Sequence, residues 1–371
     1  MRRLFTKIGY AGLILVGCIA AVSVHAAENF VYGSYVPRSH TFHVDGLEPY
    51  FEALEEQSDG ELQFRLLSDG TMVGSSNTLT GIRNGTVDMG LVVDVYIPST
   101  LPTEATLNEL ALFADNEVSA AAAMTETVLL HCPQCLEEWK QAGAKPIAFY
   151  STSPYYLMCN SAVSDLASIR GKRIKSATAW NGLAAHFGAT PVSIATSETY
   201  EALSRGQADC AFAGAAYLKS YGLADVVDYI VDMPMGTFMG ASFINMNTQR
   251  WQALTPEQRE LFKRNAAQAI VNVSRGYAND AAEAFETARN SGVTFVEPGE
   301  PLKTSYDKYL AKERERVAAL AEKRGVNNPE QLVDDYLTRL DKWERIVEKA
   351  DGDNEKLVEA INERIYSKVE F

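Results

Sequence analysis

Strand and helix patterns alternate twice along this chain, and this alternation limits its possible folds more than any other feature. In the first unit, residues 30–36, 62–67 and 87–93 have strand composition, and helical patterns occupy 41–56 and 77–84. Strand–helix–strand order with short connections implies right-handed parallel units. The sequence therefore predicts an α/β fold.

A second unit of the same kind follows. Its strands are predicted at 150–160, 173–176, 190–194 and 208–213, with helices at 181–187 and 196–203. From Thr255 the pattern is helical, first in one long helix to about Ser291 and, after Pro301, to the end of the chain. A chain of 371 residues fits two domains, and each unit can form its own sheet.

The first residues have the features of a secretory signal peptide. Residues 1–7 are basic, residues 8–24 are apolar and uncharged, and Ala26 ends a stretch of small residues suited to cleavage. We predict that residues 1–26 are removed on export. A retained membrane anchor is one alternative, and lipidation of Cys18, which follows Leu-Val-Gly, is another.

Charge and cysteine content narrow the function classes. With 34 Lys and Arg against 48 Asp and Glu, the net charge is −14, which argues against binding to nucleic acid or anionic lipid. Export implies an oxidising compartment, and four cysteines remain after residue 26. Sequence alone allows three pairings of these four. We predict the disulfides Cys132–Cys135 and Cys159–Cys210.

Signals for catalysis are weak. His40 and His43 have a spacing that could hold a metal, but no further ligand pattern accompanies them, so structural or pocket-rim roles are favoured. The Cys132-Pro-Gln-Cys135 motif fits redox chemistry or zinc, although a structural disulfide is the preferred interpretation. The chain has no G-x-G-x-x-G, Walker or G-x-S-x-G motif. We predict no enzyme activity and no cofactor, and instead a two-lobed protein that binds a small solute in a cleft.

Several segments in a fixed order carry a resemblance to one family. They are 34–40 (SYVPRSH), 69–74 (DGTMVG), 81–89 (GIRNGTVDM), 169–175 (IRGKRIK), 188–192 (GATPV) and 198–209 (ETYEALSRGQAD). Between about Phe30 and Ile270 the chain resembles the solute-binding proteins of TRAP (tripartite ATP-independent periplasmic) transporters.

The resemblance implies a periplasmic protein with two α/β lobes around a ligand cleft, joined by crossing strands and a long helix. Lobe 1 would comprise 28–150 with a return at about 238–285, and lobe 2 would comprise 151–237 with a return at about 286–328. Residues 329–371 would form a helical extension, and the protein could be a monomer or a dimer. The implied partners are an organic acid and a small and a large membrane permease subunit, with transport driven by an ion gradient.

This chain departs from the family pattern at its carboxylate-binding positions. Lys175 stands where the family has an arginine that forks onto the ligand carboxylate, and Tyr155 stands at a second arginine position. Ala213 replaces an asparagine, and Thr196 replaces an aromatic residue. Lysine offers a point charge where arginine offers a planar pair of donors, so these changes suggest an altered ligand.

Other residues near the expected cleft suggest what the ligand is. Tyr155, Tyr156, Trp180 and Tyr217 supply aromatic faces, and Asp94 follows the third strand. An acid within aromatic walls suits an amine or a zwitterion. The alternative is that these aromatic residues pack in the core or hinge while Lys175 still binds a carboxylate. The predicted ligand-binding residues are Lys175, Tyr155, Trp180, Asn181, Asp94, Ala213, Thr196, Tyr217 and His40.

Two further functions stay open at this point. One is a secreted hydrolase or redox protein that uses His40, His43 or the Cys132/Cys135 pair. The other is a binding protein that presents its ligand to a sensor kinase.

Overall fold

A computed structural model describes residues 27–370, so the predicted signal peptide and Cys18 lie outside the described residues. The strands are β1 Glu28–Gly33, β2 Leu62–Leu67, β3 Met89–Gly90, β4 Val92–Val93, β5 Ala144–Tyr150, β6 Tyr155–Cys159, β7 Arg173–Lys175, β8 Thr190–Val192, β9 Cys210–Gly214, β10 Tyr229–Val231, β11 Ala241–Asn247 and β12 Thr294–Val296. The helices are α1 Glu48–Gln57, α2 Thr78–Arg83, α3 Pro102–Asn108, α4 Glu117–Glu126, α5 Pro133–Gln141, α6 Leu166–Ile169, α7 Ala179–His186, α8 Thr199–Ser204, α9 Tyr217–Ser220, α10 Thr248–Ala253, α11 Pro256–Asn290, α12 Glu300–Lys323, α13 Pro329–Ala350 and α14 Asn354–Ile361.

The first lobe contains two small sheets. One has the order β2-β1-β3 and is parallel, as the strand–helix–strand pattern predicts, and the other has the antiparallel order β4-β11-β5. Asn245 on β11 joins them, because its Nδ2 donates to the Gly90 carbonyl oxygen at 2.8 Å. The two sheets therefore act as one support for the residues at their carboxyl ends.

The second lobe is built on a six-stranded sheet of order β12-β10-β6-β9-β7-β8. Strands β7, β8 and β9 are parallel, and β6 runs antiparallel to β9 and to β10. With the first lobe, this sheet confirms the predicted fold class, in which two α/β lobes enclose a cleft and are joined by crossing strands and a long helix.

Two predicted strands cross a boundary between sheets. The pattern at 87–93 divides into β3, which pairs with β1, and β4, which pairs with β11. The pattern at 150–160 corresponds to β6 and overlaps β5 only at Tyr150, and β5 and β6 lie in different sheets. The chain thus crosses between the lobes at 151–154, and it crosses back at 232–240 before β11.

Helix α11 follows the crossing strands and contacts both lobes. It begins with a reciprocal cap, in which Thr255 and Gln258 exchange side-chain and backbone hydrogen bonds, and Pro256 occupies the first turn. Along its length α11 packs on α1 and α4 of the first lobe and on α9 of the second. It therefore spans the cleft on the side away from the sheet edges.

Both predicted disulfides are confirmed. Cys159 and Cys210 are register partners on β6 and β9, with Cα atoms 4.0 Å apart. Cys132 and Cys135 lie at the start of α5, with Cα atoms 5.2 Å apart. The first bond locks two neighbouring strands of the sheet that carries Tyr155 and Phe212.

The C-terminal helices pack on the first lobe. Helix α13 lies along α4, where the Trp343 Nε1 donates to a Glu126 carboxylate oxygen at 2.6 Å and Lys342 pairs with the same carboxylate at 3.0 Å. Tyr366, beyond α14, donates to the Ile147 carbonyl oxygen on β5 at 3.0 Å. All ten residues of α4 are buried, and α13 provides part of the cover that a helix without a polar face requires.

Candidate ligand-binding site

A cavity of about 220 Å³ lies where the two lobes meet. Its walls are formed by residues at the carboxyl ends of strands: Tyr35 follows β1, Tyr96 follows β4, Tyr150 ends β5, Lys175 ends β7 and Thr196 follows β8. Ligands of α/β proteins bind at this edge, because the loops that leave the strands diverge there and open a crevice. The position fits a cleft that can close on a small molecule.

Lys175 determines the electrostatics of the cavity. It is 3% exposed, and its Nζ donates to the Thr196 Oγ1 at 3.3 Å. Burial lowers the pKa of Lys175 to about 8, so the ammonium is largely charged at neutral pH. Among the described residues that line the cavity, none is Asp, Glu or Arg, so nothing there offsets this positive charge.

Aromatic rings form most of the remaining wall. Tyr155 stacks on Trp180 with ring centroids 4.5 Å apart, and Tyr217 meets Tyr155 edge to face at 6.0 Å. Trp180 is fixed because its Nε1 donates to the Met235 carbonyl oxygen at 2.7 Å. Burial raises the pKa of Tyr155 and of Tyr217 well above 10, so both phenols stay neutral. The wall is therefore flat, apolar and rigid, with hydroxyl groups at its edge.

His40 lies in the cavity wall as a neutral imidazole. Burial, with a smaller contribution from His43, lowers the pKa of His40 to about 3, and its Nδ1 lies 3.5 Å from the Tyr277 hydroxyl. His43 does not line the cavity, and its Nδ1 lies 3.0 Å from the Pro37 carbonyl oxygen. Within residues 27–370, no group of three or more His, Cys, Asp or Glu residues is arranged to hold a metal ion.

One contact joins the two lobes across the cavity. Tyr96 of the first lobe donates from its hydroxyl to Thr196 Oγ1 at 3.5 Å, and the Thr196 backbone N–H donates to the same hydroxyl at 3.3 Å. Because Lys175 also donates to Thr196, these three side chains form a continuous link. The link places the Lys175 ammonium beside a point where the two lobes touch.

The structure brings six of the nine predicted ligand-binding residues into the cavity wall: His40, Tyr155, Lys175, Trp180, Thr196 and Tyr217. Asn181 lies one layer back, where its Oδ1 accepts a hydrogen bond from the lining residue Ser176 at 2.7 Å. Ala213 faces away, because side chains alternate along β9 and Phe212 is the residue that lines the cavity. Tyr156 likewise faces away and packs edge to face on Phe285 at 4.9 Å.

Asp94 also lies outside the cavity wall. It is fully buried, and the Asn108 Nδ2 donates to its Oδ1 at 2.9 Å. Burial raises the pKa of Asp94 to about 7. The sequence placed Asp94 at the cleft because it follows a strand, but Val93 and Val95 on either side of it line the cavity, and the Asp94 side chain points to Asn108 on α3. The carboxylate proposed for a ligand cation is therefore absent from the cavity wall.

Sequence reasoning missed several lining residues: Tyr35, Tyr96, Tyr150, Tyr221, Phe212 and Phe238. The available signal was their position, since Tyr35 and Tyr96 lie just beyond strands and Tyr150 is a strand's last residue. Their aromatic side chains are equally typical of a buried core. Only the arrangement of the two lobes separates these two possibilities.

Comparisons with known proteins agree with this geometry. Residues 32–318 match the model of the bacterial extracellular solute-binding protein family 7 (DctP). A solute-binding protein of Roseobacter denitrificans is 24% identical over 306 residues, which cover 80% of this chain and 90% of that protein. Within the described part of the chain, no helix is both long and apolar enough to cross a membrane.

Solved structures show the same fold. A TRAP solute-binding protein of Rhodoferax ferrireducens, in complex with copurified benzoate, superposes with a TM-score of 0.78 at 16% identity, covering 86% of this chain and 100% of that one. A TRAP periplasmic solute-binding protein of Bordetella bronchiseptica, with bound (R)- and (S)-mandelate, gives 0.75 at 20% identity, covering 85% and 99%. With more than half of its length matched by the family model, this chain belongs to the bacterial extracellular solute-binding protein family 7.

Proposed function

We propose that this chain is the extracytoplasmic solute-binding subunit of a TRAP transporter and that it captures a small monocarboxylate with an aromatic ring. One observation carries the proposal: Lys175 is a buried cation in a cavity whose other described walls are aromatic, aliphatic and hydroxyl groups. A carboxylate on the Lys175 ammonium would neutralise its charge, and a ring would fill the space beside Tyr155 and Trp180.

The charge balance of the cavity disfavours the amine or zwitterion considered from the sequence. A ligand cation would meet the Lys175 ammonium without a carboxylate to offset it, since Asp94 is buried behind the wall. A dicarboxylate would bring two negative charges to one cation, and lysine cannot form the bidentate contact that arginine offers. One negative charge and one flat apolar body match the site best.

Two structural relatives support this ligand class. Their bound molecules, benzoate and mandelate, each combine one carboxylate with one aromatic ring. Low sequence identity means that these proteins show the fold alone, so their ligands serve as probes for this chain. Delivery of the solute to a small and a large permease subunit, and export through residues 1–26 to the periplasm, complete the proposal.

The test is a comparison of ligand classes by isothermal titration calorimetry on the purified mature protein. We expect benzoate and mandelate to bind, succinate and malate to bind at least about tenfold more weakly, and benzylamine or choline not to bind. A ligand that binds only the folded state also raises the melting temperature, which provides a second readout. Tight binding of succinate or of an amine, with no binding of benzoate, would contradict the proposed ligand.

The proposed function also predicts how affinity varies with pH. Because burial lowers the pKa of Lys175 to about 8, the ammonium is present below pH 8 and is lost as the pH rises through that value. Benzoate keeps its charge throughout, so its affinity should fall by about tenfold per pH unit above pH 8. Titrations at pH 7, 8, 9 and 9.5 measure this dependence. Constant affinity across the series would show that the ammonium does not hold the ligand.

A further inference from the structure

A buried polar cluster lies directly behind the turn that carries Tyr96. Asp94 begins this turn, while Glu104 and Asn108 lie four residues apart on one face of α3. All three side chains are fully buried. The Asn108 Nδ2 donates to Asp94 Oδ1 at 2.9 Å, and the Trp139 Nε1 donates to Glu104 Oε2 at 2.5 Å.

Three oxygen atoms of this cluster lack a hydrogen-bond partner anywhere in residues 27–370. They are Asp94 Oδ2, Glu104 Oε1 and Asn108 Oδ1. A buried acceptor without a donor is destabilising, and a buried carboxylate without a counter-charge is more so. Three such atoms on neighbouring side chains therefore indicate a ligand that supplies positive charge or a donor.

A proton on Glu104 meets this requirement for two of the three atoms with the groups present. Protonation of Glu104 Oε1 creates a donor on the helix face that it shares with Asn108, whose Oδ1 is an acceptor without a partner. The hydrogen bonds then run in one direction, from Trp139 to Glu104, from Glu104 to Asn108 and from Asn108 to Asp94. Calcium takes six to eight oxygen ligands, more than the three that the cluster provides.

The charged groups around the cluster do not replace this proton. Glu109 and Arg324 face Asp94, and Glu138 faces Glu104. Arg324 pairs with Glu109 at 3.0 Å, and Arg316 pairs with Glu109 at 3.0 Å and with Glu313 at 2.7 Å, so two carboxylates match the two guanidinium charges. Glu138 accepts from Thr103 and adds negative charge. Burial, and then the charge of Asp94, raises the pKa of Glu104, which is consistent with a protonated side chain.

The cluster is also connected to the crossing segment 232–240 and to the contact between the lobes at Tyr96. The Asp94 backbone N–H donates to the carbonyl oxygen of Gly240, the last residue of the crossing segment 232–240, at 3.2 Å. A Cβ atom at residue 240 would lie 2.4 and 2.6 Å from the Asp94 carboxylate oxygens, so the backbone packs tightly on the cluster. On the other side, the turn ends at Tyr96, which contacts Thr196 across the cavity.

We propose that Glu104, Asn108 and Asp94 form a proton-binding site that positions Tyr96, so that the contact between the lobes depends on the proton held by Glu104. Loss of the proton places a second negative charge beside Asp94 and loosens the turn. Glu104 is a positioning residue in this scheme and does not touch the solute. The link to ligand affinity rests on the proposed function, whereas the protonation of the cluster does not.

The test uses Glu104→Gln in the full mature chain. Glutamine keeps both bonds without a titrating proton, because its oxygen accepts from Trp139 and its amide donates to Asn108. The readout is hydrogen–deuterium exchange of the peptide that contains residues 94–97, corrected for the intrinsic effect of pH and measured without ligand. A carboxyl whose pKa is raised on folding stabilises at low pH, so wild-type protection should fall at least about tenfold from pH 7 to 9.5, the range in which Asp94 is already ionised. Glu104→Gln should keep its pH 7 protection throughout.

Glu344→Gln is the matched control. Burial raises the pKa of Glu344 to about 7, but this residue lies on α13 beside Asp115 and Asp341. Removing it should leave the wild-type exchange profile of residues 94–97 unchanged. A wild-type profile in Glu104→Gln, or wild-type protection that depends on added Ca²⁺ or EDTA at fixed pH, would overturn the proposal.

Two additions keep the test decisive. If Glu104→Gln does not fold, Asp94→Asn is used in its place. Because the Asp94 charge raises the pKa of Glu104, removing that charge should move the fall in protection to lower pH. A pH profile that does not move would overturn the proposal. The second addition measures benzoate affinity at pH 7 and 8.5: loss of the Lys175 charge weakens both proteins, and the wild type should weaken further than Glu104→Gln. Absence of benzoate binding at either pH would contradict the proposed ligand, while the exchange experiment would still decide the proton site.

Discussion

Replacing Lys175 by methionine is expected to lower the affinity for benzoate by about 100-fold. Methionine fills a similar volume but leaves the ligand carboxylate buried without a counter-charge, and truncating one member of a buried charged pair costs about 2–5 kcal/mol. The unliganded variant should melt no lower than the wild type, because methionine does not have to be desolvated as an ammonium. Calorimetry with benzoate and a thermal melt of the same samples measure both effects.

Lys172→Met provides the control for this experiment. Lys172 lies three positions earlier in the chain and donates to Ser161 Oγ at 2.7 Å, and it does not line the cavity. The control removes one positive charge from the same lobe, so it should bind benzoate within about twofold of the wild type. Equal affinities for all three proteins would exclude Lys175 from the site.

Removing the disulfide between β6 and β9 should destabilise the protein more than removing the one at α5. Cys159 and Cys210 are 51 positions apart, so their bond restricts a long loop of the unfolded chain and contributes about 4 kcal/mol. Cys132 and Cys135 are 3 positions apart, and on the same basis their bond contributes about 2 kcal/mol. Denaturant unfolding of the two double alanine variants gives the free energies of unfolding directly.

The comparison between the two variants contains its own control, since each loses one bond and two sulfur atoms. Equal losses of stability would contradict the loop-length argument. A loss of stability confined to the Cys132/Cys135 variant would indicate that the packing of α5, and not the loop length, is the dominant effect. Ligand affinity measured on the Cys159/Cys210 variant shows whether the strand pair also positions Tyr155 and Phe212.

Local patterns predicted many elements of the two α/β units, because each unit has its own periodicity, but they gave no prediction for residues 94–149 and 214–254, which hold α3, α4, α5 and β11. They could not predict where a strand changes sheet, since β3 and β4 read as one apolar run at 87–93 and only pairing with β1 and β11 separates them. The error for Asp94 concerns the direction of one side chain. Its neighbours Val93 and Val95 line the cavity, whereas Asp94 faces Asn108, and its position after a strand does not distinguish these two directions.

The site residues show the same division between local and global information. Lys175 was identifiable because it stands at the arginine position of the family pattern, and Trp180 because it is an aromatic residue near the expected cleft. Ala213 and Phe212 differ by a single step on β9, and a one-residue choice of register decides which of them faces the ligand. Tyr35 and Tyr150 are indistinguishable from core aromatic residues until the second lobe is placed opposite them.

The family match ends at residue 318, whereas the hydrophobic interior of this chain continues to Trp343 and Tyr366. Helix α4, which is rich in alanine, is covered on one side by α13, which belongs to this C-terminal segment. A chain truncated at residue 318, where the family match ends, would expose this side of α4 to water and would tend to self-associate through it. The C-terminal segment is thus a structural part of the first lobe. Helix α4 lies a third of the way along the chain, and its burial is complete only after α13, near the end of the chain, has been synthesised.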